Sequence, residues 1–212
     1  MIIFDLDGTL VDSRADLALS VNLMRKDFGF APFSEKDVIS FVGNGVVALM
    51  KRSIENTGIP LEDALKSYTA HYAEHLLDNT RLYDGMEEAL RKLAANGIAM
   101  AVVTNKPEAA ARSILEGLGV LDLFCAVIGG GSGCALKPEP DALLKCLEIS
   151  GDQAGTSWMV GDHYTDLEAG RRAGMKRAFC LWGIGAVKEE KSDADLAHPL
   201  DMLKLISGEK VV

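Results

Sequence analysis

What most limits the fold of this 212-residue chain is where its strand-like segments fall. A short apolar segment at 2–4, reaching at most residue 6, comes first. The next convincing one is a continuous apolar run at 98–103, and further runs follow at 126–128, 158–160 and 177–181. Continuous apolar runs of this length suit strands buried on both faces. Helical periodicity separates the later runs. Met86, Leu90 and Leu93 lead to a helix stop at Asn96-Gly97, a helix begins near Pro107, another follows Pro140 with Leu143, Leu144 and Leu147, and a third spans about 165–173.

The gap between the first two strands reads as helical throughout. Leu17, Val21, Met24 and Phe28 line one face of a helix that Gly29 ends. After Pro60, Leu61, Leu65, Tyr68, Tyr72 and Leu76 repeat the pattern. Residues 38–54 look helical too, with Gly43 and Gly45 interrupting them. The expected fold class is α/β: a parallel Rossmann-like sheet flanked by helices, with a small all-helical cap inserted after the first strand. The expected core is 1–13 with 83–212, and the cap is 14–82.

Ligands of open parallel sheets bind beyond the carboxyl ends of the strands. The residues there are distinctive. Strand one runs into Asp5-Leu6-Asp7-Gly8-Thr9, strand two into Thr104-Asn105-Lys106, strand three into a glycine-rich loop and Lys137-Pro138, and strand four into Gly161-Asp162 and Asp166. One polar loop would mean little. Four that deliver carboxylates, a hydroxyl, an amide and an ammonium group to one edge predict a charged site. Residues two apart on an extended chain point the same way, so Asp5 and Asp7 are expected as neighbours. Two carboxylates ~4 Å apart repel by about 4 kcal/mol at an effective dielectric of about 20. A hard divalent cation relieves this, and Mg²⁺ suits carboxylates, waters and a phosphate oxygen. One carboxylate can then attack phosphorus while the other handles the proton of the leaving oxygen.

Composition narrows the classes. With 31 acidic and 22 basic side chains, a net charge of -9 disfavours nucleic acid. No apolar run approaches the ~20 residues a membrane span needs, and Asp5 and Asp7 interrupt the apolar start too soon for a signal peptide. Cys125, Cys134, Cys146 and Cys180 form no metal or disulfide pattern, which fits reduced thiols in a cytoplasmic protein. The stretch Gly129-Gly130-Gly131-Ser132-Gly133 fails both the dinucleotide fingerprint and the P-loop, and reads as a flexible loop delivering Lys137.

Together these segments resemble, in order and spacing, the four motifs of the haloacid dehalogenase superfamily: Asp5-Leu6-Asp7-Gly8-Thr9-Leu10, Thr104-Asn105, Lys137-Pro138 and Gly161-Asp162-x-x-x-Asp166. The resemblance implies that Asp5 is the nucleophile and Asp7 the general acid and base. It implies that Thr104 and Lys137 hold the phosphoryl group, with Asn105 beside them. It also implies that Mg²⁺ sits on Asp5, the carbonyl of Asp7 and Asp162, with Asp166 in support. The chain is most like the phosphoglycolate phosphatases, partly through Val42-Gly43-Asn44-Gly45. Gly43 and Asn44 are therefore expected at the substrate, unless that stretch is only a helix break. Arg52 is the candidate cation for a substrate carboxylate. His163 departs from the small polar residue common at its position, and is read either as a contact to substrate or as a histidine hydrogen-bonded beside the site. His71, His75 and His198 are read as structural or solvated. The expected partner is a small phosphorylated metabolite, 2-phosphoglycolate first. A hexose-phosphate mutase and a non-catalytic phospho-ligand sensor remain as alternatives. A dehalogenase is disfavoured because halide displacement has no use for the acid that Asp7 supplies.

Overall fold

The computed structural model describes residues 1–207. Its principal sheet has six strands: β1 (Ile2–Phe4), β4 (Met100–Pro107), β5 (Ala126–Gly130), β6 (Trp158–Gly161), β7 (Lys176–Cys180) and β8 (Ala194–Leu196). A separate two-stranded ribbon pairs β2 (Val11–Asp12) with β3 (Arg81–Leu82). The sheet order is β5-β4-β1-β6-β7-β8, every pairing parallel, with Ile2 beside both Met100 and Trp158. Chain order reverses at β1: β4 and β5 build outward on one side, and the chain then crosses back to lay β6 on the other. Such a reversal opens a crevice at the carboxyl ends of the central strands.

Alternation along β1 sorts the two faces. Ile2 and Phe4 join one apolar cluster, and Ile3 joins the other with Ala101, Val103 and Met159. The second cluster is covered by α7 (Asp141–Ser150) and α8 (Tyr164–Arg172) through Leu143, Cys146 and Ala169. The first is covered by α5 (Met86–Ala95) and α6 (Glu108–Gly117) through Leu90, Leu93 and Ile114.

The same first cluster continues into a helical block: α1 (Arg14–Asp27), α2 (Glu35–Ile39), α3 (Val46–Ser53) and α4 (Leu61–His75). Leu17, Val21 and Met24 of α1 are buried against Tyr68 and Tyr72 of α4, which bears out the spacing-of-four-and-three reading. Phe28 lies just past the end of α1 and is only half-buried.

The chain leaves for this block after β2 and returns through β3, with Val11 opposite Leu82 and Asp12 opposite Arg81. A buried carboxylate ties the two ends together. Asp16 on α1 accepts from the Asn79 and Thr80 amides, from Asn79 Nδ2 and from Thr80 Oγ1, at 2.7 to 3.0 Å. Burial pushes its pKa up, but these donors outweigh burial and hold it below the ordinary carboxylate value.

Several expectations are corrected. β3 lies within 14–82, where no strand was expected. β4 runs four residues past 103, because its end pairs with β5 through an irregular register, Pro107 opposite Gly130. Gly129 and Gly130 belong to β5, so the loop toward Lys137 starts only at Gly131. Pro107 has ψ 131° and precedes the helix, which starts at Glu108. β8 is a three-residue edge strand containing Asp195, too short and too polar for an apolar run to reveal.

Candidate active site

β1 ends at Phe4, but the sheet carries its main chain one residue further, with Asp5 N donating to Val160 O at 2.9 Å. The chain then turns: Leu10 N donates to Leu6 O, and Gly8 adopts φ +82°. A side chain at Gly8 would be strained there and would collide with the Asp162 carboxylate, so glycine lets the turn close over that group. Asp5 and Asp7 line the same cavity and are held by different cations.

Asp5 is held by Lys137. The Lys137 Nζ lies 2.9 Å from Asp5 Oδ1 and 2.7 Å from Asp166 Oδ1, and it donates to Val103 O at 2.7 Å. The backbone of Lys137 is clamped by Asn105, whose Oδ1 accepts from Lys137 N and whose Nδ2 donates to Lys137 O. Burial favours a neutral amine, but Asp166 and Asp5 outweigh it and hold the ammonium form above its usual pKa.

Asp7 turns to Lys106, whose Nζ contacts its two oxygens at 2.9 and 2.7 Å, and to Ser13 Oγ at 2.6 Å. Lys106 also sits over the ring of Tyr72, 4.7 Å from its centroid. Neither Lys106 nor Ser13 was expected at the site. The run Thr104-Asn105-Lys106 held the signal for Lys106, as a cation at a strand end. Nothing in the residues near Ser13 pointed to it.

Asp162 follows β6 and is fully buried. Thr9 Oγ1 donates to its Oδ1, and the amides of Ile184 and Gly185, in the loop after β7, donate to its Oδ2 at 2.8 Å each. This loop was missed too; the glycines in Trp182-Gly183-Ile184-Gly185 after a strand were its only mark. Asp166, on the first turn of α8, accepts from His163 N through Oδ2.

Asp5, Asp162 and Asp166 each offer a carboxylate oxygen, all within 4.8 Å of one another. Burial, reinforced by the charges of Asp166 and Asp5, pushes Asp162 up to about 7. Burial likewise raises Asp5 to about 6, with Lys137 opposing and Asp166 adding to it. Three carboxylate oxygens set this close together fit a hard divalent cation. The carboxylate of Asp7, engaged by Lys106, lies outside this cluster, and Asp166, expected in support, lies within it.

The remaining expected residues divide. Thr104 is buried, lines the cavity over Asp5 and accepts from Lys106 N. The Asn105 amide is fully engaged: besides Lys137, it donates to Gly43 O at 3.0 Å. Gly43, with φ +110°, packs on the imidazole of His163, and any side chain there would meet the ring. The 43–45 stretch therefore meets the sheet-bearing part of the molecule. Asn44 is spent on Tyr164 and Arg52. Arg52 is exposed. It braces the loop by donating to Phe41 O and Asn44 Oδ1, and it is absent from the cavity wall. His163 caps α8, contacts Thr165 Oγ1 at 2.8 Å and lines the cavity; burial pushes its pKa down to about 4. His71 and His75 pair with Asp27 and Asp78, and His198 caps a short helix.

A family model described as haloacid dehalogenase-like hydrolase matches residues 2–180. A phosphoglycolate phosphatase of Aquifex aeolicus is 35% identical over 208 residues, covering 98% of this chain and 97% of that protein. One from Chromobacterium violaceum is 37% identical, covering 91% of this chain and 89% of its own. The crystal structure of a predicted phosphoglycolate phosphatase from Haemophilus somnus superposes with a TM-score of 0.92 at 32% identity, covering 97% of both chains.

Proposed function

The chain belongs to the haloacid dehalogenase-like hydrolases and is a phosphoric monoester hydrolase, and from that premise we propose that it cleaves a small phosphorylated metabolite by transferring the phosphoryl group to Asp5. The observation that carries this reading is the placement of Asp5: Lys137 contacts one of its oxygens, and Asp162 and Asp166 stand within 4.8 Å.

The division of labour follows from the two cations. Lys137 neutralises Asp5 and the incoming phosphate together, which lets two anions meet. Thr104 supplies a hydroxyl at the same cavity wall. The Asp7 carboxylate, engaged by Lys106 and Ser13, stays off the metal cluster and serves the proton: it protonates the departing alkoxide, then takes a proton from the water that attacks phospho-Asp5. In bonds, the ester P–O breaks as a P–O bond to Asp5 forms, and water then cleaves that bond to give inorganic phosphate. Asp5, Asp162 and Asp166, with the carbonyl of Asp7, would hold Mg²⁺, which when bound offsets the negative charge shared by phosphate and carboxylates.

The helical block, residues 14–82, acts in this reading as a cap over the cavity, and loop 43–45 is the part of it set against the catalytic residues. Relatives named phosphoglycolate phosphatase make 2-phosphoglycolate the first substrate to assay. Four free cysteines fit the cytoplasm, and among the described residues no helix is long and apolar enough to cross a membrane. The test is phosphate release from 2-phosphoglycolate with Mg²⁺, with excess chelator, and by Asp5→Asn. Release that needs Mg²⁺ and Asp5 supports the proposal; release undiminished in chelator or in the variant contradicts it.

A further inference from the structure

The cavity over Asp5 and Asp7 has a volume of about 320 Å³, and its walls differ sharply in chemistry. The catalytic side is polar. The opposite side is apolar: Leu17 of α1, Val46 and Leu49 of α3, Tyr68 of α4 and Leu76 just after it, with Ala110 of α6 completing the wall. Among the described residues Lys106 is the only lysine or arginine lining the cavity, and both of its close charge contacts go to Asp7. The nearby arginines are turned elsewhere, Arg14 to Asp12 and Arg52 to Phe41 and Asn44.

This wall treats leaving groups unequally. A carboxylate entering it sheds water and meets no disengaged lysine or arginine among the described residues, and burying a charge without a countercharge is strongly unfavourable. To take Lys106 it must take it from Asp7, the group that protonates the leaving oxygen. An apolar body sheds only apolar hydration and gains in proportion to the area it buries. The chamber is also far larger than glycolate needs, so space remains for such a body.

We propose that this site carries a further activity, hydrolysis of phosphomonoesters whose alcohol has an uncharged apolar body, with a higher kcat/KM than for phosphoglycolate. The inference rests on the phosphatase reading and extends it to the leaving group; the bonds made and broken are the same. Phosphate sits at Asp5 and Lys137, and the alkyl or aryl body lies against Leu17, Val46, Leu49 and Leu76.

The experiment is a kcat/KM series on the full chain with Mg²⁺, reading phosphate released from ethyl, butyl, hexyl and phenyl phosphate and from 2-phosphoglycolate. The expected result is a rise of roughly fourfold per buried methylene from ethyl to butyl. Butyl and phenyl phosphate should then exceed phosphoglycolate by about tenfold. Val46→Lys, a half-buried position at the start of α3, should narrow or invert that ranking by placing a cation on the wall. A flat series, or phosphoglycolate at or above butyl phosphate in the unmodified enzyme, overturns the inference while leaving the phosphatase reading intact. Release from none of the esters overturns both.

Discussion

Lys106 grips both carboxylate oxygens of Asp7, at 2.9 and 2.7 Å, in a pair almost wholly removed from solvent. Removing one partner of such a pair leaves a buried charge, at a cost of about 3–5 kcal/mol. Lys106→Met should therefore lower the thermal midpoint clearly. It should also cut kcat by roughly 10²-fold with activated and natural esters alike, because Asp7 loses the orientation its proton transfers need. Thermal unfolding and turnover, measured on the same preparation, check both effects. Unchanged turnover would show that Asp7 does not depend on Lys106.

The carboxylates at the cluster make stability depend on pH in an unusual direction. Asp5 is raised to about 6 and Asp162 to about 7, from 3.8 for the free group. Between about pH 4 and pH 7 the folded state thus holds protons that the unfolded state has released. Unfolding then releases protons, so stability falls as pH rises through this window and levels off above it. Mg²⁺ offsets the same repulsion only when the carboxylates are ionised. Its stabilising effect should be larger at pH 8 than at pH 5, and Asp162→Asn should flatten the slope. Denaturant titrations with and without Mg²⁺ test this; equal stabilisation at both pH values would contradict it.

Asp16 holds the start of α1 to residues 79 and 80 through donors that favour its ionised form. Its folded pKa is depressed, so its contribution is present above the unfolded carboxylate pKa and is lost as pH falls through the folded value. Asp16→Ala removes the acceptor of the Asn79 amide and of the buried Thr80 amide and hydroxyl, and should cost about 2–4 kcal/mol. The same loss should appear in urea unfolding at pH 7 and shrink at low pH. A cost below ~1 kcal/mol at pH 7 would mean the anchor is dispensable.

Arg52 braces the 41–44 loop from outside the cavity. Arg52→Ala should raise KM for phosphoglycolate and for an uncharged phosphate ester by similar factors, within about threefold of each other. A rise confined to phosphoglycolate would make Arg52 a direct reader of the substrate carboxylate.

Much of this is legible in the sequence. Asp5, Thr104, Lys137 and Asp162 announce themselves because a parallel sheet places its strand ends on one edge, and apolar runs mark where strands end. What stayed hidden depends on directions that spacing does not encode. Asp5 and Asp7 face one cavity but take different cations, Lys137 and Lys106, a division that spacing does not assign. Asn105 lines the cavity as expected, but its side-chain amide is taken up by Lys137 and Gly43, which spacing does not foretell. Arg52 has the right charge, but its helix aims it at backbone carbonyl and amide groups. The amides of Ile184 and Gly185 carry no side-chain signature at all, yet they hold Asp162 in place. β2, β3 and β8 are too short for any hydropathy pattern to register.

The central claim is that the phosphoryl group passes through Asp5, and one measurement tests it most directly. Asp7→Asn keeps the nucleophile and Lys137 but removes the base that activates water. Mixed with Mg²⁺ and an aryl phosphate whose leaving group needs no proton, then quenched with acid within milliseconds to seconds, this variant should show a phosphate adduct by mass spectrometry on the peptide containing residue 5. Asp5→Asn, treated alike, should show none and should lose several orders of magnitude in turnover. No adduct on that peptide, together with near-normal turnover by Asp5→Asn, would contradict the account.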